Sequence, residues 1–282
     1  MIDTHQHLLY PELFAYPWVG NVPALAGPFR LEEYGKSSQG CGIKGCLFME
    51  VDAAQPAAEA RFFCGLAEDS GNGILGVIAS ARPEHDGFEA SLDAIAHPKL
   101  AGIRRVLHTQ PDGLSQSGLF RENLRALGRR GLPFDLCVLQ RQLPVAHELI
   151  RACPEVSFVL DHCGVPDIAA NAAPDGEGFR AWREGVRAIA SAPNVCCKIS
   201  GLTAYASDAQ RTADGLRPYV ETVLESFGPA RCVWGGDWPV VNLGSGLARW
   251  CDLSRELLSG LSADEQDAVF ARNATQVYHL DP

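Results

Sequence analysis

His5 and His7 stand two residues apart near the start of the chain, in Ile2-Asp3-Thr4-His5-Gln6-His7. On a β-strand, residues i and i+2 share a face, so both imidazoles project together from one strand end. Such a pair can grip a metal ion or polarise a carbonyl. Near the other end of the chain, Asp237 closes the short apolar run Cys232-Val233-Trp234-Gly235-Gly236 and precedes the turn residues Trp238-Pro239. If the first and last strands of one closed sheet are neighbours, the three side chains converge. An isolated His-x-His also occurs as packed, hydrogen-bonded histidines. The distant carboxylate is what makes this pair a candidate reaction centre.

Positioning these residues requires a repeating architecture, and the chain has one. Short apolar or β-branched runs fall at Met1–His5, Gly45–Val51, Ile74–Ala79, Ala101–Leu107, Pro133–Leu139, Val156–Leu160, Val195–Ile199 and Arg231–Gly235. Amphipathic stretches lie between most of them: Pro56–Asp69, Ser117–Arg130, Leu143–Cys153, Phe179–Ala192 and Pro218–Phe227. A spacing of roughly 30 residues is what a strand, a crossover helix and two loops need. Eight such units predict an α/β protein, a closed (β/α)₈ TIM barrel forming a single domain over 1–282. Ser262-Ala263-Asp264-Glu265 is a capping box that starts a terminal helix, expected to cover the outside of the barrel. Leu8–Gly42, rich in Pro, Gly and aromatics, is positioned to form a lid over the mouth, and Ala169–Gly178 has loop composition.

Composition narrows the partners. The 282 residues are 46% hydrophobic, ample for a large core, and 34 acidic against 24 basic side chains leave a net charge of -10. Without a basic footprint, a nucleic acid or anionic membrane surface is excluded as partner, and a small molecule is expected. No apolar run approaches the ~20 residues that span a bilayer, and the N-terminus has no signal-peptide pattern, so a cytoplasmic location is expected. The ten cysteines sit mostly in apolar segments without a Cys-x-x-Cys pair. They read as reduced thiols packed as small hydrophobes. Association into a homo-oligomer through outer helices stays open, since no exposed apolar stripe marks an interface.

Catalytic groups in such barrels come from the carboxyl ends of strands and the loops that follow. Here His5 and His7 end the first strand, Glu50 the second, and Arg104, Arg105 and His108 the fourth. Gln140 and Arg141 follow the fifth, Asp161 and His162 end the sixth, Lys198 and Ser200 the seventh, and Asp237 the eighth. Polar residues at so many strand ends are hard to assign to packing.

In these motifs the chain resembles the amidohydrolase superfamily, in particular its lactonase branch of fuconolactonase-like sugar-lactone and 2-pyrone-4,6-dicarboxylate hydrolases. The matching stretches are Ile2–His7, Tyr16-Pro17-Trp18, Gly102-Ile103-Arg104, Arg141-Gln142-Leu143-Pro144, Val159–Gly164, Lys198–Leu202 and Gly235–Val240. The resemblance implies a hydrolase that opens a lactone of a sugar acid or a carboxylated small molecule. Asp237 would take the water proton and return it to the leaving alkoxide, while His5, His7 and His162 face the carbonyl or a metal. Arg104 and Lys198 would hold a carboxylate or hydroxyls, with His108 and Arg141 beside them. Trp18 and Trp238 would stack on a sugar-like ring. The fifth strand ends without the histidine usual in metal-dependent members. Glu50 could instead complete His5, His7 and Asp237 as a four-ligand site for a divalent ion, zinc first. A lactone is electrophilic enough for such an ion to be dispensable.

Each residue has a structural rival. Glu50 can also pair with a rim arginine, Arg141 with Asp135 or a helix end, and Asp161 can buttress His162. Alternation lets only one of Arg104 and Arg105 face inward. His85, His97, His147 and His279 read as surface residues. A metal-dependent amide hydrolase or decarboxylase, and a barrel that binds a small molecule without catalysis, are the competing functions.

Overall fold

A computed structural model describes residues 1–171 and 176–280. Strands and helices alternate along the chain: β1 (Ile2–Gln6), α1 (Leu31–Ser37), β2 (Gly45–Met49), α2 (Pro56–Leu66), β3 (Ile74–Ser80) and α3 (Phe88–Asp93). They continue as β4 (Leu100–Val106), α4 (Gly118–Arg129), β5 (Phe134–Cys137), α5 (Leu143–Ala152), β6 (Phe158–Leu160) and α6 (Glu177–Ala190). The last units are β7 (Val195–Ile199), α7 (Ala213–Phe227), β8 (Cys232–Trp234) and α8 (Leu247–Leu257). Each strand pairs in parallel with the next in sequence, from β1 to β8. The circle closes just beyond β8: the Asp237 N–H donates to the His5 carbonyl at 2.8 Å and the His7 N–H to the Trp238 carbonyl at 2.7 Å. The barrel expected from the strand cadence therefore forms, and β1 does lie against the segment carrying Asp237.

Continuous apolar runs make these strands because both faces are covered. Every residue of β2, for example, is buried. Helices present one apolar stripe to the strands, as Phe179, Trp182, Val186 and Ile189 do on α6. All ten cysteines are unpaired, and nine are buried, as small core residues should be.

A second, smaller cluster fills the inside of the barrel, with Leu47, Met49, Ile78, Val159 and Val233 from the strands. The terminal segment completes it, which corrects one expectation. The capping box forms, with Ser262 Oγ accepting the Glu265 N–H at 3.3 Å, and starts α9 (Ala263–Asp267). A wider-turned stretch, Ala268–Arg272, then leads into α10 (Asn273–Val277). Instead of covering the outside, this segment sends Ala274, Tyr278 and Leu280 into the inner cluster. It plugs the amino-terminal end of the barrel, where Tyr278 and Leu280 lie beside Leu75, Leu100 and Leu132.

At the opposite end, the long segment after β1 supplies part of the mouth. Its first half brings Leu9 and Trp18 to the opening, the Trp18 indole N–H donating to the Val51 carbonyl at 2.6 Å. Its second half returns to the flank as α1, where the Tyr34 hydroxyl donates to Asp3 Oδ2 at 2.8 Å. Of the loop-like stretch 169–178, residues 172–175 lie outside the described residues.

Candidate active site

At the carboxyl end of the barrel the two rings of β1 meet the carboxylate that follows β8. His5 Nε2 and His7 Nε2 are 3.1 Å apart, and each lies 3.7 Å from Asp237 Oδ1. Outer partners orient both rings. His7 Nδ1 is 2.9 Å from the Met49 carbonyl, which accepts only an N–H, so His7 Nε2 carries a lone pair. His5 Nδ1 faces Asp161 Oδ1 at 3.4 Å, and Arg104 Nη1 donates toward His5 Nε2 at 3.3 Å. Both arrangements leave the His5 lone pair on Nε2 as well. Burial pushes the ring pKa of both histidines well below the ordinary value, so both rings are neutral at neutral pH.

Two ring nitrogens and a carboxylate oxygen facing one point are the donor set of a candidate cation site. Bonds of 2.0–2.2 Å in a tetrahedral zinc centre imply donor separations of about 3.3–3.6 Å, and the observed triangle brackets that range. Charge agrees with geometry: the buried carboxyls Glu50, Asp135, Asp161 and Asp237 are matched by Arg104 and Lys198, while the other buried cation among the described residues, Arg105, is paired with Glu84. His162 adds a further donor, since ligand atoms of His5, His162 and Asp237 all lie within 4.8 Å of one another. Burial lowers the His162 pKa to about 3, so this ring too is neutral. Glu50 does not join the donors. Its Oε1 receives Arg104 Nε from β4 at 2.6 Å and its Oε2 the local Asp52 N–H at 2.7 Å, so both oxygens are already engaged.

Backbone strain and one glycine hold the cluster together. Asp52, His162 and Asp237 all have left-handed backbones, with φ of 50°, 52° and 55°. Non-glycine residues pay for that conformation and keep it where function requires the resulting aim. Gly201 lets β7 pass close behind: a Cβ there would stand 2.7 Å from His162 Nδ1 and 3.1 Å from Asp237 Oδ2. The His162 ring is further steadied by Ser200 Oγ, 2.9 Å from Nδ1.

A cleft of about 220 Å³ opens above the cluster, and His7, Arg104, His162 and Asp237 line it. Trp18 and His108 stand on its wall, His108 with Nδ1 3.2 Å from Cys137 Sγ. Three residues expected at the substrate do not reach the cleft. Lys198 is fully buried one layer down, between Asp135 at 2.5 Å and Asp161 at 3.0 Å. Arg141 is exposed and paired with Asp112 at 2.9 Å. Trp238 is buried against Phe29 and Tyr34, a core residue of the lid. Tyr205, absent from the sequence reading, does line the cleft, and its ring lies 6.2 Å from that of His162. Among the described residues its hydroxyl has no hydrogen-bond partner, and burial keeps it protonated. It sits on a loop beyond β7 with no motif around it.

Asp237 is the group such a cleft would use as a base. Burial pushes its carboxyl well above the ordinary carboxylate range, against the pull of Arg104. Its Oδ2 is buried without a hydrogen-bond partner among the described residues. A neutral histidine cluster, a basic carboxylate and a small cleft lie together at the carboxyl end of the (β/α)₈ barrel, where such barrels carry their chemistry, which makes this cleft the candidate active site. The chain belongs to the amidohydrolase family, whose pattern matches residues 2–280.

Its relatives place it on the lactonase side of that family. It is 27% identical to an L-fucono-1,5-lactonase of Burkholderia multivorans over 99% of this chain and 96% of that protein. Identity to an L-fucono-1,5-lactonase of Burkholderia ambifaria is 34%, over 65% of this chain and 63% of the other. Among solved structures, an amidohydrolase from Burkholderia multivorans with bound zinc superposes with a TM-score of 0.89 at 26% identity, covering 99% of each chain.

Proposed function

We propose that the protein hydrolyses a small, uncharged lactone, with Asp237 as general base. The observation that carries this reading is the buried, unpartnered Asp237 Oδ2 at the floor of the cleft. A water beside it gives up a proton to the carboxylate as it attacks the lactone carbonyl, and Asp237 then returns the proton to the departing ring oxygen. His162 and Arg104 face the space where the carbonyl oxygen gains charge. His5, His7 and Asp237 would hold a divalent ion, zinc by donor type and spacing, which when bound supplies Lewis acidity toward the carbonyl.

The electrostatics of the cleft favour a neutral substrate over a carboxylated one. Arg104 is committed to Glu50, Lys198 to Asp135 and Asp161, and Arg82 to Asp52 at 2.8 Å. A substrate carboxylate would meet Asp52 and Asp237 with no uncommitted cation among the described lining residues. Leu9, Trp18, Val51, Val106 and Val240 line the walls, so the lactone presents an apolar edge as well as polar groups.

A pH-indicator assay over neutral sugar lactones and dicarboxylate lactones tests the reading, using the purified protein, the chelated protein and the zinc-restored protein. Acid release is expected from neutral lactones, and Asp237→Asn should lower kcat by about 10²–10⁴ while ligand still binds. Failure to open any lactone with zinc restored, or an Asp237→Asn variant of undiminished turnover, refutes it.

A further inference from the structure

Beneath the cleft, a line of fully buried polar groups runs to the plugged end of the barrel. The Tyr278 hydroxyl donates to Asp135 Oδ1 at 2.8 Å, and Lys198 Nζ donates to the same oxygen at 2.5 Å. Lys198 Nζ also lies 3.0 Å from Asp161 Oδ1 and 3.4 Å from His5 Nδ1. His5 Nδ1 therefore has two rivals at the same 3.4 Å separation, the Asp161 carboxylate and the Lys198 ammonium. They demand opposite tautomers. Asp161 accepts from Nδ1–H and leaves a lone pair on Nε2. Lys198 can only donate, so bonding to Nδ1 would put the proton on Nε2, pointing it at the His7 lone pair and at Arg104.

We propose that Asp135 and Tyr278 set the tautomer of His5 by drawing Lys198 toward the plugged end of the barrel. They are positioning residues: neither touches the cleft, and both act through Lys198. An ammonium has three donors, and the short contact to Asp135 shows where it is held most tightly. Tyr278 orients the Asp135 oxygen that does the holding. The terminal segment thus reaches the reaction centre from the far end of the barrel. This inference rests on the reading of His5 as a donor in that centre.

Tyr278→Phe removes one hydroxyl and preserves the ring, and Asp135→Asn weakens the hold on Lys198 more strongly. Leu280→Ala is the control, because it loosens the same plug without touching the polar line. Ring-nitrogen NMR of the zinc-free protein, with His5 assigned through a His5→Asn variant, reports the tautomer. Competition with a chromophoric chelator reports zinc affinity. Tyr278→Phe should move the His5 proton from Nδ1 toward Nε2 and weaken zinc about tenfold, as loss of an outer partner of a metal-binding histidine does. Asp135→Asn should do more, and Leu280→Ala neither. If His5 keeps its proton on Nδ1 in Tyr278→Phe, or if Leu280→Ala weakens zinc equally, the proposal is overturned. Neither readout needs a substrate, so a wrong lactonase assignment would leave both results interpretable.

Discussion

Replacing Glu50 with glutamine separates its two sequence-level roles, metal ligand and ion-pair partner. In the structure the Glu50 side chain is fully buried and accepts from Arg104 Nε at 2.6 Å and from the Asp52 N–H at 2.7 Å. Glutamine keeps one acceptor oxygen, so it can satisfy one of these donors while its amide N–H₂ confronts the other. The Arg104 charge is left without its closest carboxylate, and its next one, Asp161 Oδ2, is 3.7 Å away. Removing one member of a buried pair costs about 3–5 kcal/mol. Because the oxygen retained by glutamine and the nearby Asp161 compensate in part, about 3 kcal/mol is expected. For a chain of this size, that lowers Tm by about 5 °C. Thermal unfolding followed by circular dichroism measures the loss, and metal analysis of the folded variant measures zinc uptake. Zinc binding should survive, since the donor triangle of His5, His7 and Asp237 does not include Glu50. A loss below about 1 kcal/mol, or a variant that is stable yet cannot take up zinc, would refute the assignment of Glu50 to Arg104.

Three further outcomes follow from the geometry. Tyr205→Phe deletes a cleft hydroxyl without a protein partner and should lower kcat/KM about three- to tenfold, the worth of one uncharged hydrogen bond to substrate; unchanged kinetics would place the hydroxyl outside the reacting complex. Burial, reinforced by Glu50, raises the Glu59 carboxyl well above its ordinary pKa, so its contribution favours folding below the unfolded-state pKa and is lost as pH rises toward the folded-state value. Glu59→Gln should therefore match the parent near pH 4 and exceed it by about 1–3 kcal/mol at neutral pH, and parallel pH–stability curves would contradict this. Arg141→Ala breaks an exposed pair with Asp112 and should leave turnover unchanged and stability within about 1 kcal/mol in urea titration.

The barrel was legible because eight apolar runs recur at the cadence that a strand and its crossover helix impose, and each observed strand lies within two residues of its expected bounds. Strand alternation also anticipated that Arg104 and Arg105 would part: Arg104 turns inward, while Arg105 pairs with Glu84 at 2.7 Å. Depth along the barrel was not legible. Lys198 points inward from β7 as its position requires, but Ser200 is the residue level with the rim, so Lys198 lies beneath the histidines. Partner choice was equally hidden. Glu50 meets an arginine two strands away, a contact set by barrel curvature that no local pattern encodes. Tyr205 escaped because loop residues carry no periodicity, and the terminal helix was misplaced because a capping box marks where a helix starts and not whether it packs on the outer wall or seals an end of the barrel.

The closure between β1 and the end of β8 has a consequence for biosynthesis. Asp3 Oδ1 accepts N–H groups from both His5 and Gly236, and Thr4 Oγ1 donates to the Trp234 carbonyl at 2.7 Å. His5 and Asp237 are thus brought together by backbone bonds between β1 and the segment after β8. While the chain is still on the ribosome, β1 waits until the segment after β8 has been made before that partner exists. Interrupted translation products consequently contain histidines but no assembled centre, and hydrolytic competence appears all at once, with the last strand.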